Sequence, residues 1–300
     1  MIKRTLYFGN PARLSIKDKQ LNIKLLADDN EKNVPIEDIG VVVLDHYQIS
    51  ITQKVFESLL NNNAAIITCN SSHLPHGLLL NLDGNTIQTE RFREQINVSE
   101  PLKKRLWQQT IVSKIENQAK LLEKRDIKTD NMFYWAKSVK SGDSENHEAR
   151  AAAYYWDKIF PNLDYFYRGR YEDPPNNLLN YGYAILRAVV ARALVSSGLL
   201  PSLGIHHRNK YNAYCLADDI MEPYRPFVDK LVCDIVDNRD KYGDFELTKE
   251  IKAILLNIPV LDIKINGRKS PLMVGVSQTT ASLYKCFEGS LRKIIYPEMV

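Results

Sequence analysis

Three separate segments carry carboxylates and an imidazole of the kind that hold a divalent cation. Glu148 shares one helical face with Ala151, Ala152 and Tyr155, at spacings i, i+3, i+4 and i+7. Alanines let a second helix approach and strip water from that carboxylate, and a desolvated carboxylate needs a counter-charge. The same pattern also fits a partly exposed glutamate at the edge of a core stripe. The second segment is Leu203-Gly204-Ile205-His206-His207. Adjacent histidines after a glycine turn point in different directions, so at most one belongs to a given site; a lone histidine is more often hydrogen-bonded structure than ligand. In the third, Asp218 and Asp219 stand four and three residues before Glu222, about 5–6 Å apart on a helix surface. These acids repel one another unless a cation or Arg225, one turn on, offsets them. A solvated acidic turn is the alternative.

Carboxylates with one imidazole are hard-to-borderline donors suited to Mg2+ or Mn2+. Such an ion polarises a phosphoryl oxygen and stabilises the charge that develops during phosphodiester attack. Residue types and spacing alone therefore reach metal-dependent phosphodiester chemistry as one reading, with ordinary salt bridges as the other.

The elements that must position these groups fall into two grammars. Up to residue 85 the pattern is that of short strands: Thr5–Phe8, Ala12–Ile16, Leu21–Leu26 before a polar turn at Asp28-Asp29-Asn30, the valine-rich Ile39–Leu44, Ala64–Thr68, and Leu78–Leu82 closing on Asp83-Gly84-Asn85. One helix, from about Thr52 to Asn61, interrupts them. After residue 100 the apolar period becomes helical. Pro101 sits at a first helical position, and Leu102, Leu106, Ile111, Ile115 and Leu121 recur to about Arg125. Further helices are expected at 144–159, opened by Asp143-Ser144-Glu145, and at 176–198, 213–238, 247–257 and 276–295. Pro223 and Pro226 predict a bend just past the acidic cluster. The expected fold is α+β: a β-rich domain over 1–85, a linker over 86–100, and a larger all-α domain over 101–300 carrying the candidate site.

A chain of 300 residues with 44% hydrophobic and 25% charged residues can fold on its own core. A net charge of +4 is too small to mark nucleic-acid binding by itself. Its distribution is more informative. Between Pro101 and Lys140 there are ten Lys or Arg against four acids, which suits a phosphate-facing surface and equally a solvated helix face. Cys69, Cys215, Cys233 and Cys286 lie far apart and form no C-x-x-C pair, so they read as reduced thiols rather than a disulfide or zinc framework. The first ten residues lack a signal-peptide apolar stretch. Tyr183–Leu200 carries Arg187 and Arg192, so it reads as a buried helix rather than a membrane span. The expected location is cytoplasmic.

At the three segments the chain resembles the CRISPR-associated integrases, the larger of the two universal proteins of CRISPR adaptation. Glu148-x-x-Ala151-Ala152-x-x-Tyr155 resembles the family's first ligand motif, with Ala149 where a glycine is common. Asn176-Asn177-Leu178-Leu179-Asn180-Tyr181-Gly182 resembles its most recognisable helix, Leu203–His207 its histidine segment and Asp219–Asp229 its acidic motif. Pro101–Gln109 and Leu216–Asp219 resemble the type II branch. The resemblance implies that Glu148, His207 and Glu222 ligate Mg2+ or Mn2+. His207 closes the Gly-x-x-His segment, and Glu222 is chosen over Asp219 on the branch. Tyr155 and Arg225 are implied as supporting residues. The implied reaction is a transesterification joining the 3′-hydroxyls of a captured double-stranded DNA fragment to a CRISPR repeat boundary. No ATP is required, and no P-loop pattern occurs in the sequence. The implied assembly is a homodimer, two of which flank the small companion adaptation protein. Two competing readings are a structure-selective nuclease on branched DNA and a non-catalytic DNA-binding scaffold. Lys103, Lys104 and Arg105 are candidate DNA contacts on charge.

Overall fold

The computed structural model describes residues 3–26, 31–163, 166–169 and 172–300; the turn expected at Asp28-Asp29-Asn30 lies outside them. The first part holds two sheets and a helix. Strands β1 (Arg4–Phe8), β2 (Ala12–Lys17), β3 (Gln20–Leu25), β4 (Glu31–Pro35), β5 (Ile39–Leu44) and β6 (Ile49–Ile51) precede helix α1 (Gln53–Asn61), which is followed by β7 (Ala65–Cys69) and β8 (Pro75–Leu79). One sheet has the order β1-β5-β7-β8, parallel except for the last pair; the other has the order β4-β3-β2-β6. Strands β4 and β6 have no counterpart in the sequence reading. β4 is a polar edge strand, Glu-Lys-Asn-Val-Pro, and β6 is three residues long, so neither carries a period-2 apolar signal. β8 begins three residues before the expected Leu78. Asn70 folds the preceding turn by accepting the N–H groups of Ser72 and Leu74, which starts the return strand early.

The valine-rich β5 is buried on both faces. Val42 and Ile66 join Phe8, Leu14, Val55 and Leu59 in a small core beneath α1. Val41, Val43 and Ile67, on the opposite face, join the large core built by the helices. A run of β-branched residues suits a strand with no solvent face.

The second part begins with α2 (Gln88–Asn97) and continues through α3 (Glu100–Glu123), α4 (Asp130–Ser138), α5 (His147–Lys158), α6 (Asn176–Ser196), α7 (Cys215–Met221), α8 (Arg225–Asp237), α9 (Arg239–Tyr242) and α10 (Lys249–Leu255). It closes with β9 (Asp262–Ile265), β10 (Arg268–Pro271), α11 (Leu272–Phe287) and β11 (Pro297–Glu298). The molecule thus has an N-terminal β-sheet region followed by a mostly helical one, with a small antiparallel sheet β10-β9-β11 added to the helices. Helix α2 occupies the segment expected to be a linker. Its apolar positions are few, and polar contacts hold it: Gln95, buried, donates to the carbonyls of Leu200 and Leu203 and accepts the Leu200 N–H. The final helix starts and stops earlier than expected, ending at Phe287 ahead of Gly289 in the left-handed region at φ +89°.

Helix α6 is long and apolar enough to cross a membrane, but it is mostly buried within the protein. Its Arg187 pairs with Asp218 at 2.6 Å and Arg192 donates to the Asn63 carbonyl. Helix α8 approaches so closely that a Cβ at Gly182 would lie 2.5 Å from Val228 Cγ1. Helix α7 packs on this rod, α3 packs on α5 and α7, and these three helices carry the candidate site.

Candidate metal centre

Helix α5 begins with a cap that aims Glu148. Asp143 accepts the N–H groups of His147 and Glu148, at 2.9 Å each, one on each carboxylate oxygen. That satisfies two of the donors a helix start leaves unpaired and places a negative charge at the positive end of the helix. The cap residue predicted from sequence is therefore present, although the helix proper starts at His147, after Asn146 in the left-handed region. Ala151 and Tyr155 are fully buried on the face of α5 that packs on α3, while the Glu148 side chain keeps about a quarter of its surface open.

Glu222 stands where α7 meets Pro223. Proline offers no N–H, so the chain passes through a 3-10 turn, Glu222–Tyr224, before α8 starts at Arg225. The three acids of this segment point in three directions. Asp218 pairs with Arg187 and accepts from Asn212. Asp219 turns to the histidine loop. Glu222, almost fully buried, takes Arg225 on Oε1 at 2.9 Å and Lys114 near Oε2 at 2.7 Å. Repulsion within the cluster is thus relieved by separate partners.

Lys114 brings Glu148 and Glu222 together. Its Nζ lies 2.7 Å from Glu148 Oε1 and 2.7 Å from Glu222 Oε2, so one ammonium sits between the two carboxylates. Burial pulls the Lys114 amine down, but the two glutamates outweigh it and hold it above the usual lysine range. Burial likewise pushes the Glu222 carboxyl up, and Arg225 and Lys114 override it to leave that carboxyl below the usual range.

His207 is held from behind. Asp219, with no exposed surface, accepts the N–H groups of Ile205, His206 and His207 at 2.7, 2.9 and 3.2 Å and lies 2.5 Å from His207 Nδ1. A carboxylate only accepts, so Nδ1 carries the proton and Nε2 is the nitrogen left for a ligand. The bond to Asp219 raises the His207 pKa, whereas burial lowers that of His206. The loop can close this tightly because residue 204 is glycine: a Cβ there would lie 2.4 Å from the His207 carbonyl and 2.8 Å from Asp219 Oδ2. Trp107, buried on α3, stacks flat on His206 at 4.1 Å and meets His207 edge-on at 5.7 Å, and the two imidazoles themselves meet edge-on at 5.4 Å.

Of the supporting residues, Arg225 touches Glu222 directly. Tyr155 instead donates to Asp229 at 2.7 Å, which also accepts from Tyr183 at 2.5 Å. The Arg225 guanidinium lies 4.9 Å from the Tyr183 ring centre, so this buried group forms a floor behind Glu222.

The structure therefore unites Glu148 and Glu222 on one cation and orients His207 separately. Among the described residues no three His, Cys, Asp or Glu side chains are already gathered as a metal-ligand set. The donors nonetheless fit a divalent ion in kind. An ammonium stands between two carboxylates, Glu222 Oε2 has no hydrogen bond of acceptable geometry, and the imidazole has its far nitrogen committed to a carboxylate. Sequence reasoning missed Lys114 and Trp107. Trp107 and Lys114 are i and i+7 in a stripe with Ile111; a lysine inside an apolar stripe was the available signal.

Comparison with known proteins follows the same outline. The family model described as CRISPR associated protein Cas1 matches residues 6–261. A CRISPR-associated endonuclease Cas1 of Neisseria meningitidis is 34% identical over 284 residues, covering 94% of this chain and 91% of that one. Among solved structures, a casposase bound to integration product superposes with a TM-score of 0.80 at 19% identity, over 98% of this chain and 92% of that one. A chain of a Cas6-RT-Cas1–Cas2 complex gives a TM-score of 0.75 at 19% identity, over 99% of this chain and 36% of that one. At these identities the two structures speak for the fold.

Proposed function

We infer that this chain, which belongs to the Cas1 family of CRISPR-associated proteins, is a metal-dependent integrase of CRISPR adaptation. Glu148, Glu222 and His207 hold Mg2+ or Mn2+. The observation that carries this reading is the pair of carboxylates sharing one cation beside an imidazole oriented by Asp219. When bound, the ion supplies Lewis-acid stabilisation of charge on a phosphodiester under attack.

The protein's own groups do the rest. Asp219 fixes the His207 ring and Trp107 packs edge-on against it; Arg225 holds Glu222 by one oxygen and leaves the other facing Lys114. Lys104 and Arg105 are exposed on the first turns of α3, ahead of Trp107, and are suited to positioning a DNA backbone. In the reaction, the 3′-oxygen of a captured double-stranded fragment bonds to phosphorus at a repeat boundary. The bond to the neighbouring 3′-oxygen breaks, and that oxygen takes a proton. One phosphodiester replaces another, so no nucleoside triphosphate is required. Attack on both strands requires two sites, which favours a homodimer, and the Cas6-RT-Cas1–Cas2 complex among the structural neighbours supports a small companion adaptation protein as partner.

The alternative is hydrolysis of branched DNA at the same site, in line with the endonuclease name of the Neisseria relative. Incubation with a supercoiled CRISPR plasmid and a labelled 3′-hydroxyl duplex decides between them. Covalent label in the plasmid, lost in excess chelator, is the expected result. Cutting without covalent joining would leave a nuclease.

A further inference from the structure

We propose that Lys114 is a displaceable counter-cation. Its ammonium holds Glu148 and Glu222 together in the ion-free protein and withdraws when a divalent cation takes them. The proposal rests on the metal reading above and concerns how the site loads.

Three observations carry it. The first is position: Nζ lies 2.7 Å from one oxygen of each glutamate, in the space a shared ion must use. The second is the asymmetry at Glu222. Arg225 holds Oε1 at 2.9 Å with a guanidinium, while Oε2, the oxygen facing Lys114, makes no hydrogen bond of acceptable geometry. Glu222 is thus anchored through one oxygen and presents the other. The third is access. Glu148 is about a quarter exposed, so an ion can reach the pair from its side, and the lysine can retract along its flexible four-carbon stem without moving α3. The hydrogen bond from Nζ to Glu148 Oε1 must break when this happens.

The charges explain why the contact is temporary. Glu148 and Glu222 against Lys114 and Arg225 sum to zero, a set with little net attraction for a divalent ion. Without Lys114 the same set carries one negative charge. At the few-ångström distances involved, that single charge is worth about tenfold or more in cation affinity. Lys114 therefore weakens ion binding while preventing the two carboxylates from repelling each other in the ion-free state.

Two measurements on the full chain test this. Free Mn2+ is titrated by electron paramagnetic resonance against wild type, Lys114→Gln and His207→Ala. Lys114→Gln is expected to bind Mn2+ at least tenfold more tightly than wild type; equal or weaker binding overturns the proposal. In wild type, Lys114 acylation is followed by mass spectrometry with and without Mn2+. Labelling is expected to rise several-fold with the ion, because a side chain only 11% exposed is released. No rise overturns the proposal, and this second assay decides alone if Lys114→Gln does not fold. If wild type and His207→Ala bind Mn2+ equally, the metal reading itself fails, an outcome distinct from a failure of Lys114 displacement.

Discussion

Replacing Asp219 by Asn tests whether this carboxylate positions the site or ligates the ion. Asp219 accepts four N–H groups, three from the backbone of 205–207 and one from His207 Nδ1. Hydrogen bonds to a charged acceptor contribute about 1.5–3 kcal/mol each, and a stranded buried donor costs a similar amount. Asn keeps one accepting oxygen and turns an NH2 toward donors on the other side. The loss of two good bonds predicts about 3 kcal/mol lower stability in urea denaturation, within the roughly 5–15 kcal/mol of a typical domain. Alanine would strand all four donors and risk the fold. The functional effect follows from the ring. Without an acceptor-only partner at Nδ1, His207 is no longer held with Nε2 unprotonated and aimed. Loss of such an orienting partner weakens metal binding by about 10–100-fold without abolishing it. Mn2+ titration gives the affinity, and nitrogen-15 NMR of the imidazole gives the tautomer. Wild-type affinity with an unchanged tautomer in Asp219→Asn would refute the positioning role. Complete loss of binding with an unchanged tautomer would make Asp219 a ligand.

Other predictions follow from the same contacts. Glu148→Ala and His207→Ala are expected to abolish DNA joining while lowering stability by no more than about 3 kcal/mol, since each removes one hydrogen bond to a buried charged partner; joining assays and urea melts read the two effects. Asp143→Ala removes both cap bonds of α5 and is expected to cost about 1–2 kcal/mol and to slow joining through a less fixed Glu148; the melt and the rate should fall together. Burial pushes the Asp229 carboxyl up to about 6 from its ordinary 3.8. The folded state then binds more protons than the unfolded one between those values, so its stabilising contribution falls as pH rises through that window. Relative to Asp229→Asn, wild-type stability should drop by about 2 kcal/mol between pH 4 and pH 6. A pH-independent difference would contradict the buried-charge assignment.

Much of this arrangement is legible along the chain, for physical reasons. Glu148 on an alanine face, the Gly204 turn and the proline break after Glu222 are local signals, and each has a direct structural counterpart. The valine-rich run of β5 correctly announces a strand with no open face. What is not legible depends on distance. Lys114 is 34 residues from Glu148, and its place in an apolar stripe marks it as buried without naming the carboxylates it meets. The resemblance sets Asp219 behind Glu222 as a ligand without saying where it points; it faces the histidine loop because three backbone N–H groups converge there, which only the folded loop creates. Helix α2 escaped notice because buried glutamine and arginine contacts, such as Arg91 to the Ser197 carbonyl at 2.8 Å, hold it where an apolar stripe would normally do so.

The most direct test is the position of the ion itself. Anomalous scattering from a crystal soaked in Mn2+ should show one peak bonded to Glu148, Glu222 and Nε2 of His207, with Asp219 on Nδ1 of the same ring and Lys114 withdrawn. A peak bonded to Asp219 in place of His207 would contradict the account, as would no peak between the two glutamates at saturating Mn2+.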